Sequence, residues 1–383
     1  MSTLQSDSRR QDREDETARR LAAVFAGAGY SRIVPPVLQP ADVFLDRLGD
    51  EVRSRIYMLT DPGGAELCLR PEITIPACLL YLQSAPDPAA AARLYYDGPI
   101  YRYATPGSGK PAEERQLGIE CLGATDKQAA EVEVLALCLS ALRAAGVGEI
   151  GLRLGDVGLF TALVEAIDLP AQWRGRLLRH FSRPERFSKI LRRLAGEGRG
   201  ASVSALLKTL GSLSENEARA VIGDVLALSD IRAVGMRSVE EITERLLEQA
   251  ADASALSLAR ETVALIEKFL EINGPADRVV AEISALTKSA GIDLTAALGI
   301  FERRLQLLGK ASVDVGSARF ATSFGRTLDY YSGFVFEVQG PRGRLAAGGR
   351  YDGLLTDLGA KTPIPAMGCA LFCAGILAAQ GEG

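Results

Sequence analysis

The stretch RQLGIECLGA, from Arg115 to Ala124, predicts a fold element more clearly than any other part of the sequence. Apolar residues alternate here with polar residues or glycine, which is the period-two pattern of a β-strand with two different faces. One face carries Leu117, Ile119 and Cys121, and the other carries Gln116, Gly118 and Glu120. The glycine between the two polar residues is expected to leave space above its face of the sheet.

Helices and further strands are predicted on both sides of this strand. Thr125 and Gln128 match a capping box, so a helix is expected from there to about Ala145. An amphipathic helix is predicted over residues 13–28, ended by Gly29, and a last helix over about 366–379. The prolines of RIVPPVLQPADVF suit an edge or interface segment. Short strands are predicted at 55–59, 66–70, 94–96, 100–103, 150–154, 320–323, 333–338 and 345–347.

The middle of the chain has a different texture. From about Phe160 to Leu308 strand patterns disappear, and helical segments rich in Leu, Ala, Arg and Glu replace them. Antiparallel strands with few βαβ alternations indicate an α+β fold, in which a sheet is flanked by helices and carries a mainly helical insertion. The expected division is 1–158 and 311–383 for the sheet domain and 159–310 for the insertion.

Composition excludes several classes of function. The 383 residues carry a net charge of −4 and no basic block of the kind that binds nucleic acid, so such binding is not expected. No apolar run approaches a membrane span or the core of a signal peptide, which predicts a cytoplasmic protein. A single histidine, His180, and six cysteines in apolar runs argue against a zinc site and against histidine-based catalysis.

Four short stretches combine polar residues with strand-like frames: LRPEIT (69–74), YRY (101–103), QLGIE (116–120) and RTLDYYSG (326–333). Taken alone, the arginines could pair with surface acids, Gln116 and Glu120 could lie on a solvated sheet face, and the tyrosines could be ordinary sheet packing. Taken together, the carboxylates suit an ammonium or a protonated imidazole, and the arginines suit a carboxylate. The tyrosines add an aromatic wall with a polar tip. The combination favours a small amino acid as ligand.

In this order, these stretches resemble the histidyl-tRNA synthetase family, which has a class II aminoacyl-tRNA synthetase fold. GYSRIVPPVLQPADVF resembles its dimer-forming first motif, and YRYATPGSGKPAEERQLGIECLG its second motif. RTLDYYSGFVFE and AAGGRYDGL resemble its two histidine-specific motifs, and PAMGCALFCAGI a degraded third motif. The resemblance covers roughly residues 15–155 and 311–380. It implies a homodimer through the region of Pro35 and Pro36, and a histidine pocket made of Glu72, Thr74, Arg102, Gln116, Glu120, Arg326, Tyr330, Tyr331 and Tyr351.

The departures from the family concern its ATP half. Ala104 and Thr105 replace the acid and arginine of the second motif, and Lys110 is the only cation in the following loop before Arg115. The third motif has Phe372, Ala374 and Gly375 where the family has glycine, acid and arginine. Activation of an amino acid by ATP needs cations to neutralise the triphosphate. An anticodon-binding domain is not expected, since the chain stops at Gly383.

A retained amino-acid pocket beside a lost ATP site resembles the regulatory subunits of ATP phosphoribosyltransferase, which are paralogues of the synthetase. This resemblance implies a non-catalytic protein without a cofactor. Its partner would be the short-form catalytic subunit, in a hetero-oligomer that is commonly a hetero-octamer, and it would transmit histidine feedback in the first step of histidine biosynthesis. Two alternatives stay open: a truncated synthetase-like enzyme that activates histidine, and a stand-alone histidine sensor.

Overall fold

The computed structural model describes residues 2–45, 47–48, 50–84, 91–108, 111–181, 183–195, 209–210, 213, 215–228, 243, 246, 260–325 and 330–380. The chain forms two compact units, one of Met1–Pro184 with Lys268–Gly383 and one of Glu185–Glu267. The first unit contains both sheets. In the second unit, the described core is a small apolar cluster around Leu210, Ala218 and Ile222. The predicted insertion boundaries, 159 and 310, stay a prediction.

A nine-stranded sheet forms the centre of the first unit, in the order β1-β5-β6-β12-β11-β10-β7-β9-β8. It is antiparallel from β5 to β7, while β1 pairs with β5 and β9 with β7 in parallel. A mainly antiparallel sheet with helices packed on it confirms the predicted α+β architecture. The strands are β1 Ser31–Arg32, β5 Ala92–Tyr101, β6 Glu113–Leu122, β7 Gly151–Asp156, β8 Asn273–Pro275, β9 Arg319–Ala321, β10 Phe334–Gly340, β11 Gly343–Arg350 and β12 Ala366–Phe372.

A separate three-stranded sheet, β2-β4-β3, follows the proline-rich segment. Its strands are β2 Leu38–Pro40, β3 Met58–Thr60 and β4 Glu66–Leu69. The buried guanidinium of Arg70 fixes the adjoining prolines, because it donates to the carbonyl of Pro35 at 2.6 Å and to that of Pro99 at 2.9 Å. This contact ties the small sheet to the end of β5.

Helices cover the sheets, and the bounds of the described ones are as follows. They are α1 Ser2–Gly27, α2 Asp42–Leu45, α3 Asp50–Arg53, α4 Thr74–Ser84, α5 Lys127–Ala144, α6 Val157–Ala166, α7 Ala171–His180, α8 Pro184–Leu194, α9 Glu215–Leu228, α10 Arg260–Glu271, α11 Ala276–Ser289, α12 Thr295–Lys310, α13 Leu354–Asp357 and α14 Cys373–Ala379. Among the described helices, none combines the length and the apolar character needed to cross a bilayer.

The predicted capping box at the start of α5 is wrong. Asp126 is the N-cap, and its carboxylate accepts hydrogen bonds from the backbone N–H groups of Gln128 and Ala129. The Gln128 side chain instead donates to the carbonyl of Ile300 on α12, at 3.2 Å. A carboxylate satisfies the free N–H groups and the positive end of the helix dipole better than a hydroxyl does. The predicted strand and the helix after it are confirmed apart from this cap.

Three other predictions of elements need correction. Residues 366–372, predicted as part of a helix, form β12, which pairs with β6 on one side and with β11 on the other. The strands predicted at 94–96 and 100–103 are one strand, β5, and Arg102 lies just beyond it. A short strand, β8, lies inside the region where no strand was predicted.

Candidate ligand-binding site

Three glycines on adjacent central strands share one face of the sheet and make room for three functional side chains. A Cβ atom on Gly118 would lie 2.2 Å from the hydroxyl of Tyr96, its cross-strand neighbour. One on Gly368 would lie 1.6 Å from Oε2 of Glu120, and one on Gly349 would lie 2.7 Å from the ring of Tyr331. The space predicted above Gly118 is therefore filled by Tyr96, a site residue that the sequence analysis missed.

Glu120 lies at the floor of this site and is fully buried. Its Oε2 accepts a hydrogen bond from the Tyr351 hydroxyl, whereas its Oε1 has no hydrogen-bond partner among the described residues. Burial raises the pKa of Glu120 to about 8, although the hydroxyls of Tyr351, Thr74 and Tyr96 favour the charged form. The group is thus an acid that lacks one partner and holds a proton near neutral pH. The alternative of a solvated sheet face is excluded for Glu120 and for Gln116, which are both buried.

Glu72 is the cap of α4, the helix that begins beside the sheet. Its two carboxylate oxygens accept from the backbone N–H groups of Thr74 and Ile75, each at 2.8 Å. Burial raises the pKa of Glu72, and the two N–H groups and Arg102 oppose that rise. The Thr74 hydroxyl lies 3.5 Å from that of Tyr96, which joins the helix start to the floor of the site. Glu72 therefore has a structural role whether or not it also binds a ligand.

Gln116 and Arg102 hold the loop that leads into α4. The Gln116 side chain accepts from the backbone N–H of Ile73 at 3.1 Å. The half-buried Arg102 donates from Nε to the carbonyl of Pro71 at 2.7 Å. Burial lowers the pKa of Arg102, and the charge of Arg344 lowers it further. Arg344 is a residue near this side of the site that the sequence analysis did not single out.

Three tyrosines form the aromatic wall. The Tyr330 ring lies edge-on to Tyr331 at 5.1 Å between centroids and edge-on to Tyr351 at 5.8 Å. Burial raises the pKa of all three hydroxyls, so each stays protonated and able to donate. The structure thus brings together eight of the nine predicted site residues. The ninth, Arg326, lies outside the described residues.

A buried ion network lies next to the tyrosines and fixes the backbone around Tyr351. Arg350, between Gly349 and Tyr351, donates from Nε to Glu131 at 2.7 Å, and its carbonyl accepts from the N–H of Ser332 at 2.8 Å. Arg304 on α12 also donates to Glu131, and it reaches Asp156 at 2.6 Å. The network therefore fixes the end of β11, next to Tyr351, against α5 and α12.

An open cleft of about 550 Å³ lies elsewhere in the first unit and contains none of the predicted site residues. It is lined by charged residues of both signs from α1, β5 and β6, among them Arg10, Glu14, Asp97 and Arg115. Asp97 and Arg115 already form an ion pair at 2.7 Å. Across the described part of the chain, no three potential metal-ligating side chains gather into one site.

Comparison with known proteins agrees with this fold. The sequence model of the histidyl-tRNA synthetase family matches residues 6–252 and 231–376. An ATP phosphoribosyltransferase regulatory subunit of Agrobacterium fabrum is 36% identical over 376 residues, which are 96% of this chain and 97% of that protein. One from Brucella anthropi is 36% identical over 344 residues, 88% of this chain and 90% of that protein.

The fold is also that of solved proteins. A crystal structure from Bacillus halodurans, described as an ATP phosphoribosyltransferase regulatory subunit/histidyl-tRNA synthetase, has a TM-score of 0.66 and 22% identity. The likeness covers 97% of this chain and 80% of that one, and it confirms the predicted class II synthetase-like fold. The chain belongs to the family of ATP phosphoribosyltransferase regulatory subunits, within the wider histidyl-tRNA synthetase family.

Proposed function

We propose that this protein binds free histidine in the site described above and has no catalytic activity of its own. It activates the short-form catalytic subunit of ATP phosphoribosyltransferase and transmits histidine feedback to it. The observation that carries the proposal is the unpartnered Oε1 of Glu120, a buried carboxyl oxygen beside tyrosine hydroxyls and an aromatic wall. An imidazole or ammonium N–H would complete its hydrogen bonding, which is otherwise costly to leave unmade.

Packing beside the site supports the absence of ATP chemistry. The guanidinium carbon of Arg344 lies 4.3 Å from the centre of the Phe372 ring, so a side-chain stack occupies this part of the sheet. Gly375 on α14 lies against β11, and a Cβ atom on Gly375 would lie 2.2 Å from the carbonyl oxygen of Arg344. An arginine at position 375, where the synthetases carry one, would therefore require the strand or the helix to shift. Lys110, the loop cation, lies outside the described residues.

Feedback in such a complex is a linkage effect. Histidine must bind one state of the assembly more tightly than another, and typical coupling free energies are about 1–3 kcal/mol. The assembly we propose is a hetero-oligomer with the catalytic subunit, of hetero-octamer size, in which this chain is a homodimer. Its six free, buried cysteines suit a reducing compartment, and we place it in the cytoplasm.

Calorimetry on the purified chain and on its complex with the catalytic subunit tests the proposal. We expect calorimetry to show histidine binding. An exchange assay should show no ATP–pyrophosphate exchange, and an activity assay of the complex should show inhibition by histidine. Glu120→Gln should weaken binding and desensitise the complex, whereas Glu133→Gln, whose carboxylate bonds Arg93 and Tyr30, should leave both unchanged. Exchange at synthetase-like rates would contradict the proposal, and so would full histidine affinity in Glu120→Gln.

A further inference from the structure

The guanidinium groups of Arg102 and Arg344 lie on the side of the site where Phe372 lies. Phe372 on β12 pairs across the sheet with Gln116, so its ring is on the same face as Gln116 and Glu120. Arg344, near the start of β11, stacks on that ring at 4.3 Å. The stack restricts the side chain of Arg344, which is otherwise exposed, and directs its charge along this face.

The electrostatic influence of Arg344 shows which groups lie near it. It lowers the pKa of Arg102, after the larger effect of burial. It also opposes the burial that raises the pKa of Tyr331 and of Glu114. The stack on Phe372, which pairs with Gln116, and these effects together place Arg344 on the same side of the site as Arg102.

The positive charge of this pair is only partly compensated. Within the described ranges, neither Arg102 nor Arg344 has an ion pair, and the one hydrogen bond that the Arg102 guanidinium makes is from Nε to Pro71. Glu114 is half-buried, and the charges of both arginines oppose the rise in its pKa that burial causes. Among the described residues it makes no hydrogen bond to either arginine. Glu114 and Glu72 partly offset the charge of Arg102, and Arg55 adds to it. The terminal N–H groups of both guanidiniums therefore lack a hydrogen-bond partner among the described residues.

We propose that Arg344 acts with Arg102 to bind the carboxylate of the amino-acid ligand, a role that depends on the proposed function. An anion placed between two guanidiniums offsets their mutual repulsion and accepts charge-assisted hydrogen bonds from both. Glu120 lies at the floor of the site, beside Tyr96 and Tyr351, where its carboxyl group can bind a nitrogen group of the ligand.

Calorimetry with two ligands tests this assignment. Histidinol has the ammonium and imidazole of histidine and lacks the carboxylate, so the wild type should bind histidine more tightly than histidinol. Arg344→Gln should weaken histidine binding about tenfold or more, the loss expected for a hydrogen bond between charged groups. The same variant should change histidinol binding less than about twofold. Arg344→Lys should recover part of the histidine affinity, because it keeps the charge without the planar fork.

Arg342→Gln is the matched control, since this exposed arginine lies in the turn just before β11. It should bind both ligands as the wild type does. An unchanged histidine affinity in Arg344→Gln, or an equal loss for both ligands, would overturn the role of Arg344 while leaving histidine binding intact. A wild type that binds neither ligand would overturn the proposed function and this inference together.

Discussion

Glu120 sets the expected pH dependence at the scale of single residues. Its pKa is raised from the ordinary value of 4.5 to about 8, so the folded protein holds this proton more tightly than the unfolded chain does. Its protonated form therefore favours folding, fully below about pH 4.5 and no longer above about pH 8. Between these pH values the free energy of unfolding should fall as the pH rises. The slope for one proton is at most about 1.4 kcal/mol per pH unit.

Glu120→Gln should remove this slope, because the amide is neutral at every pH. Urea unfolding between pH 5 and 8 measures it. Glu133→Gln is the control and should keep the wild-type slope between pH 5 and 8. Hydrogen bonds from Arg93 hold the pKa of Glu133 below its ordinary value, so its own effect on stability lies at lower pH. Its carboxylate should stabilise the fold above about pH 4.5 and lose that effect as the pH falls. A Glu120→Gln curve parallel to the wild type would mean that Glu120 is already ionised in the folded protein.

Single residues of the site could be predicted when their own side chains carried the chemistry. Glu120 and Tyr351 stood in recognisable stretches, and the structure joins them by a hydrogen bond. Tyr96 and Arg344 were missed because their roles come from register and packing. Tyr96 matters because it pairs with Gly118 across two strands, and Arg344 because it stacks on Phe372. Neither relation is visible along one chain before the strands are aligned.

At the scale of elements, the ion network joins α5, α12, β7 and β11. Arg304 on α12 contacts Glu131 on α5 and Asp156 at the end of β7, and all three are buried. Arg304→Met would leave both carboxylates with fewer partners in a dry interior, so it should cost about 3–5 kcal/mol of unfolding free energy. Arg303→Met is the control, because the exposed guanidinium of Arg303 forms a surface ion pair with Asp126 at 3.1 Å, and such pairs add little stability.

Urea unfolding of Arg304→Met, of Glu131→Gln and of the double variant that combines them gives the coupling free energy between the two residues. The combined change should cost less than the sum of its parts, since removing one carboxylate charge lessens the penalty of removing the cation. Tolerance of Arg304→Met at the level of Arg303→Met would show that the network adds no stability. Additive costs would show that the two groups act independently.

Elements could be predicted from the sequence where one period dominated. The strand at β6 has a clean alternation, but AMGCALF in β12 is short, apolar throughout and flanked by a helix, so its period does not separate strand from helix. Helix α4 was missed for a related reason. Its Pro76 interrupts the pattern, although a proline in the first turn is tolerated because its position needs no hydrogen-bond donor.

For the whole molecule, the outer face of the small sheet is the surface through which we expect two copies to associate. Leu38 pairs with Leu69 and Leu59 with Leu67, which places these four side chains on the face opposite the buried Cys68. Leu38 is 49% exposed and the neighbouring Val34 is 66% exposed. A run of exposed apolar side chains on one face is typical of an interaction surface. It adjoins Pro35 and Pro36, as the resemblance to the dimer-forming motif implies.

A charge on this face should prevent association, because an isologous interface buries the same residue twice and brings the two added charges close together. Leu38→Asp should therefore shift the protein from dimer to monomer in light scattering, with its circular dichroism unchanged. Ile300→Asp is the matched control: Ile300 is equally exposed, at 50%, but lies on α12 away from the small sheet. A Leu38→Asp variant that stays dimeric, or an Ile300→Asp variant that also dissociates, would place the dimer interface on a different surface.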